Sequence, residues 1–213
     1  MSERTDCRTT IVDMFARWTA LSALRSGSSV KSRHDIYPLL RSVDFASVLD
    51  PDAPSFSSEA FDAWHRRIVL ALAEADSRLG VGWAVKLVNV YLKTACYVGD
   101  LGTPALRDVL HPPVDTGLWL GIGRRFRDRA DILKDTHHVT RIRDIRTYDG
   151  YERIITGCRR AAQALGCRLI EVEQLWEGAD SDSLTTGCRR RRAGWELLGR
   201  CVGRTPAAPE PGR

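Results

Sequence analysis

A chain of 213 residues that is 43% hydrophobic and 28% charged is long and apolar enough to bury a real core and still leave loose ends. It has no run of about 18 apolar residues, and Met1-Ser2-Glu3-Arg4-Thr5-Asp6 sets acid beside base with no apolar stretch behind it, so neither a membrane span nor a secretory signal is expected and a cytoplasmic location is. The net charge of +5 suits nucleic acid or another polyanion as a partner; residues 177–213 hold seven Arg and five acids, a surplus of two, so the body carries the other three.

In chain order, Ile11, Met14, Phe15, Trp18, Leu21 and Leu24 recur at steps of three and four, which predicts an amphipathic helix over 8–25 with this stripe facing the core. Ser26-Gly27-Ser28-Ser29 ends it. Residues 35–57 carry Pro38, Pro51 and Pro54 among Asp and Ser, which predicts a short helical turn followed by irregular chain. A helix opens at Ser57-Ser58 and presents Phe61, Trp64, Ile68, Leu72 and Ala75 on one face. Leu79-Gly80-Val81-Gly82 breaks the chain tightly. Residues 83–98 are then apolar almost all round, the mark of a central, buried helix.

Pro112-Pro113 forces extended backbone, and Asp115 stands at the N-cap of a helix whose apolar face is Leu118, Trp119, Ile122 and Phe126. Further helices are expected at 128–138 and 151–165, the second stopped by Gly166, and a last one at 168–176. The fold class is therefore all-α. Its expected divisions are an N-terminal helix and linker at 1–30, a helical core domain at 31–176 and a disordered basic tail at 177–213, with Arg189-Arg190-Arg191-Arg192 inside the tail.

Six cysteines at 7, 96, 158, 167, 188 and 201 form no Cys-x-x-Cys pair or Cys/His cluster, so they read as free thiols, with no metal or other cofactor expected. His137-His138 reads as a surface pair. Two features carry chemistry. Lys86, Asn89 and Lys93 fall within about 60° of one another on a helical wheel, a polar stripe on an otherwise apolar helix. A lysine there must reach solvent or line a cavity, because an unpaired buried ammonium is costly. Asp115, at a helix start, is a carboxylate favoured as an anion by backbone donors and the helix dipole. Downstream, Arg124-Arg125-Phe126-Arg127-Asp128-Arg129 is the densest basic cluster of the body, suited either to phosphate contact or to local pairing with Asp128 and Asp131.

Leu79-Gly80-Val81-Gly82 resembles the glycine hairpin of the helix–hairpin–helix DNA glycosylases, the HhH-GPD superfamily. Pro113-Val114-Asp115-Thr116-Gly117-Leu118-Trp119 is similar to that family's Pro-Val-Asp-Thr/Val-His-x-Trp stretch, and the likeness covers roughly residues 79–126. It implies that the amides of Gly80, Val81 and Gly82 bind a DNA phosphate with Arg124 and Arg125 beside them. It further implies that Asp115 is the catalytic carboxylate and Lys86 the nucleophile of a base-excising, possibly strand-cleaving, enzyme acting on DNA. Trp83, Asn89, Lys93 and Trp119 are candidates for its base pocket. The chain departs from the family in having Leu79 where a proline is usual and in the spacing of 115 − 86 = 29 residues, although archaeal 8-oxoguanine glycosylases also carry an Ala-Val-Lys helix, here Ala84-Val85-Lys86, and a longer return. The competing expectation is a non-catalytic helical module that binds nucleic acid or protein through the 124–129 face.

Overall fold

The computed structural model describes residues 7–25 and 27–178. The tail expected at 179–213, with its four-arginine run, lies outside the described residues. Those described are all-α, with no strand among them. The elements are α1 (Cys7–Leu24), α2 (Arg33–Ser42), α3 (Ala46–Leu49), α4 (Ser58–Ala75), α5 (Gly80–Leu92), α6 (Pro104–Val109), α7 (Thr116–Arg125), α8 (Ala130–Thr136) and α9 (Tyr148–Leu165). A π-helical turn, Lys93–Val98, prolongs α5, and 3-10 turns lie at Ile142–Asp144 and Ile170–Leu175. No helix is long and apolar enough to cross a membrane among these residues.

Local signals place most of the helix ends. Ser57 Oγ accepts from the Ala60 amide to cap α4, Asp115 Oδ1 from the Leu118 amide to cap α7, and Thr147 Oγ1 from the Gly150 amide to cap α9. Gly166, at φ +66°, closes α9 in the left-handed conformation that a glycine adopts without steric cost. α5 is the centre. Every residue from Ala84 to Leu92 is buried, and the helix packs against α1, α4 and the 142–144 turn. α1 therefore belongs to the same compact unit as the core, which runs to Trp176.

Three expectations are corrected. Residues 35–57 hold two helices rather than one short turn, and Pro38 sits inside α2, where the bond it denies to the His34 carbonyl is offset by burial of Ile36, Leu39 and Leu40. Residues 168–176 form a 3-10 turn rather than an α-helix. That turn lies directly on α7, where a side chain at Gly121 would meet the Leu175 carbonyl at 1.7 Å. The third correction concerns α1: of its predicted inner stripe Leu21 and Leu24 are buried as expected, but Ile11, Met14, Phe15 and Trp18 are 50–65% exposed, and Ala16 and Ala20 are buried in their place. Two apolar faces compete on this helix, and the alanine-bearing one allows the closer approach to α5. On α4, Ala75 also ends up exposed, one turn beyond the last buried residue Leu72.

Candidate functional site

α4, the turn at 76–79 and α5 form a helix–turn–helix pair, and the chain break expected at Leu79–Gly82 is corrected, because Gly80, Val81 and Gly82 are the first turn of α5. Gly80 holds φ +62°, and Gly82 packs so tightly on the 142–145 turn that an added Cβ would lie 1.9 Å from the Ile142 carbonyl oxygen. The Gly82 amide donates to Ile145 O at 3.2 Å. This corrects its expected role as a phosphate donor, because the turn has already taken that N–H. Gly80 and Val81 open the helix, where amides have no partner within it.

Lys86 is buried on α5, its side chain 9% exposed. His111–Val114, all buried, brings Asp115 back beside it. Lys86 Nζ donates to Asp115 Oδ2 at 3.1 Å, across 29 residues of sequence. The other carboxylate oxygen, Oδ1, is held twice, by the Leu118 amide at 3.2 Å and by the indole N–H of Trp176 at 2.8 Å. One oxygen is thus fixed by the helix start and the indole, and the other meets the ammonium. Trp83 lies beneath the pair, its ring centroid 6.0 Å from Lys86 Nζ. Two turns along, Lys93 Nζ donates to Glu173 Oε1 at 2.6 Å. Burial pushes the Glu173 carboxyl above the usual carboxylate range, against the pull of Lys93, and the charge of Asp115 pushes the same way. Two ammoniums and two carboxylates therefore share one buried margin.

That margin borders a groove of about 760 Å³, whose lining includes Lys93, Tyr97, Glu171, Glu173, Gln174 and Trp176. Tyr97 donates to Glu171 at 2.9 Å across it. Lys86 and Asp115 are not among its lining residues, and within it Glu173 and Trp176 are already engaged by Lys93 and Asp115.

Asn89 does not share this margin, although the helical wheel placed it in the lysine stripe. It is 1% exposed and turns inward. The Pro112 carbonyl can only accept, so the Asn89 atom 3.1 Å away is the amide nitrogen, which also donates to Tyr151 Oη at 2.9 Å. Asn89 Oδ1 then faces His65 Nε2 at 2.8 Å, which must carry the hydrogen. That leaves His65 Nδ1 bare to accept from Tyr148 at 2.9 Å. By the same logic Tyr151 donates to His111 Nδ1 at 2.9 Å, and His111 Nε2–H donates to Asp62 at 2.8 Å. Arg159 closes the chain with two bonds to Asp62 at 2.7 and 2.8 Å. Burial holds the His65 imidazole down to about 3, with the neighbouring His111 acting in the same direction; burial likewise lowers His111, partly opposed by Asp62. Both rings are neutral at pH 7. The network straps α5 to the chain three residues ahead of Asp115.

Trp119 is not a pocket wall either. It is buried and its indole N–H donates to the Thr136 carbonyl at 2.7 Å, a packing role. His137 and His138 are tied to the Trp119 and Asp135 carbonyls, and among the described residues no group of three metal-ligating side chains occurs. Arg124 and Arg125 are exposed at the far end of α7, about 14 Å along its axis from Asp115. Of their basic neighbours, Arg127 pairs with Asp128 and Arg129 with Asp131.

Compared with protein-family models, curated proteins and solved structures, the chain matches none. The site therefore has to be interpreted from its own geometry. Sequence reasoning missed Glu173, His65, Tyr148 and Tyr151. The available signal was titratable side chains standing on apolar helix faces, as His65 does beside Phe61, Trp64 and Ile68.

Proposed function

We propose that this chain is a DNA glycosylase with associated lyase chemistry, in which Lys86 attacks the sugar and Asp115 is the working carboxylate. The single observation that carries the proposal is the 3.1 Å contact between a lysine embedded in the most apolar helix and a carboxylate fixed at a helix start, with a groove of nucleobase size alongside. In the reaction the Lys86 ammonium gives up a proton to solvent while Asp115 stays ionised beside it, and the freed lone pair bonds to the sugar carbon C1′. The C1′–N bond breaks, and its electron pair leaves with the base, which takes up a proton from solvent. Positive charge builds on the sugar as the bond lengthens, and an anion held rigid by the Leu118 amide and Trp176 stabilises that charge without reorganising. Ring opening then leaves a Schiff base on Lys86. Phosphates of the flanking strand would be met by the Gly80 and Val81 amides and by Arg124 and Arg125.

The test is to incubate the chain with duplexes carrying different base lesions in the presence of borohydride. A covalent protein–DNA adduct is expected with at least one lesion, and Lys86→Gln should abolish it while leaving binding nearly intact. Absence of both adduct and base release across the panel would overturn the proposal and favour the binding module built on the 124–129 face. An adduct that survives Lys86→Gln would move the nucleophile elsewhere, Lys93 first.

A further inference from the structure

The outward face of α1 is apolar over about two turns, from Ile11 to Trp18. Ile11, Met14, Phe15 and Trp18 are 65%, 64%, 50% and 53% exposed, and Phe15 and Trp18 stack with ring centroids 5.7 Å apart. The opposite face, with Ala16, Ala20 and Leu24, is fully buried. A helix apolar on both faces is at home only when both are covered. The charges of α1 do not interrupt the stripe: Asp13 and Arg17 pair with each other at 2.7 Å toward the Tyr91 side, and Arg8 is turned to the Gly99 carbonyl and Asp100. Nothing charged on this face guards against self-association.

We infer that the face is a homodimer contact, in which α1 packs antiparallel on α1 of a second copy about a two-fold axis between Met14 and Phe15. The sequence is self-complementary about that point. Each residue i meets residue 29 − i of the partner, so Met14 meets Phe15, Ile11 meets Trp18 and Cys7 meets Ser22, all on one side of the helix. At about 200 Å² for each large side chain, the four exposures leave about 450 Å² of apolar surface per copy. Pairing two copies removes about 900 Å² before flanking residues are counted, so with the rim residues Cys7 and Ser22 the contact comes near the lower bound of about 1,000 Å² for a specific association, which predicts a weak, reversible dimer. This inference is independent of the chemistry assigned to Lys86.

The experiment is sedimentation velocity of the full chain in reducing buffer from about 1 to about 200 µM, with Ile11→Glu/Trp18→Glu as the interface variant. The wild-type chain should shift from monomer to dimer across this range, and the variant should stay monomeric with an unchanged far-UV spectrum, since both positions are exposed. Orientation is read by Ser22→Cys under mild oxidation. Cys7 and position 22 lie about 22 Å apart within one helix, so a disulfide between them can form only across two copies, and Cys7→Ser should remove it. A wild-type chain that remains monomeric throughout, or a dimer that the Ile11/Trp18 variant leaves intact, overturns the inference. A covalent dimer linking Cys7 to Cys7 would overturn its antiparallel sense.

Discussion

Acidification tests the buried network in a way that a single contact cannot. Folded His65 is held down to about 3 by burial, whereas the unfolded side chain titrates near 6.5. Below about pH 6.5 the unfolded chain therefore binds a proton that the folded chain refuses, and stability must fall as pH falls. Between pH 7.5 and 5, His65 alone accounts for about 2 kcal/mol, from about 1.5 pH units at about 1.4 kcal/mol each. His111 is lowered in the same direction and adds to the loss. Asp62, which His111 and Arg159 hold below the usual range despite burial, acts only at lower pH, whereas Glu173, raised by burial, works in the opposite sense and offsets part of the loss. For a unit of this size about 2 kcal/mol corresponds to a fall in Tm of about 4–8 °C. Thermal unfolding followed by circular dichroism at pH 7.5, 6 and 5 measures it. The matched control is His65→Gln, which can keep a donor toward Asn89 and cannot titrate: it should be less stable at pH 7.5 and lose less between pH 7.5 and 5. Equal melting temperatures at pH 7.5 and 5 for the wild-type chain, or the same slope in the control, would refute the assignment of a neutral, hydrogen-bonded His65.

Asp115→Asn keeps the acceptor toward Leu118 and Trp176 but turns an amide NH2 on the buried Lys86 ammonium, so a loss of about 2 kcal/mol or more is expected in urea titration, while base excision falls by about a hundredfold or more in single-turnover assays because the charge is gone. Gly82→Ala forces a methyl toward the Ile142 carbonyl and should destabilise by about 2 kcal/mol or more in urea titration; Gly80→Ala, with open space around it but φ +62°, should cost about 1 kcal/mol. Asn89→Leu strands the Pro112 carbonyl, His65 and Tyr151 together, so a loss of about 3 kcal/mol is expected in the same titration. Replacing Arg124 and Arg125 by Gln should weaken duplex binding and flatten its dependence on salt by about two counterions, read from binding isotherms at several ionic strengths.

The sequence alone determined what depends on near neighbours. Apolar periodicity marked α4, α5, α7 and α9, the short polar side chains Ser57 and Asp115 marked where α4 and α7 begin, and Gly166 marked where α9 ends, because caps and amphipathic stripes are set within one or two helical turns. Lys86 and Asp115 were legible for the same reason, as polar residues at positions where local chemistry makes them conspicuous. Tertiary structure decided everything that required a choice of partner. Periodicity reports that α1 is apolar at 11, 14, 15 and 18, but the contest with Ala16 and Ala20 is settled by how closely α5 can be approached. The wheel groups Asn89 with Lys86 and Lys93, yet Asn89 turns inward because Pro112, Tyr151 and His65, 23, 62 and 24 residues away, offer three hydrogen bonds there. The Gly82 amide is consumed by the Ile145 carbonyl, and a backbone carbonyl has no signature in sequence. Glu173 reaches Lys93 and Trp176 reaches Asp115 only because the 170–175 turn is seated on α7 at Gly121, a close packing between residues more than fifty apart that no local pattern encodes.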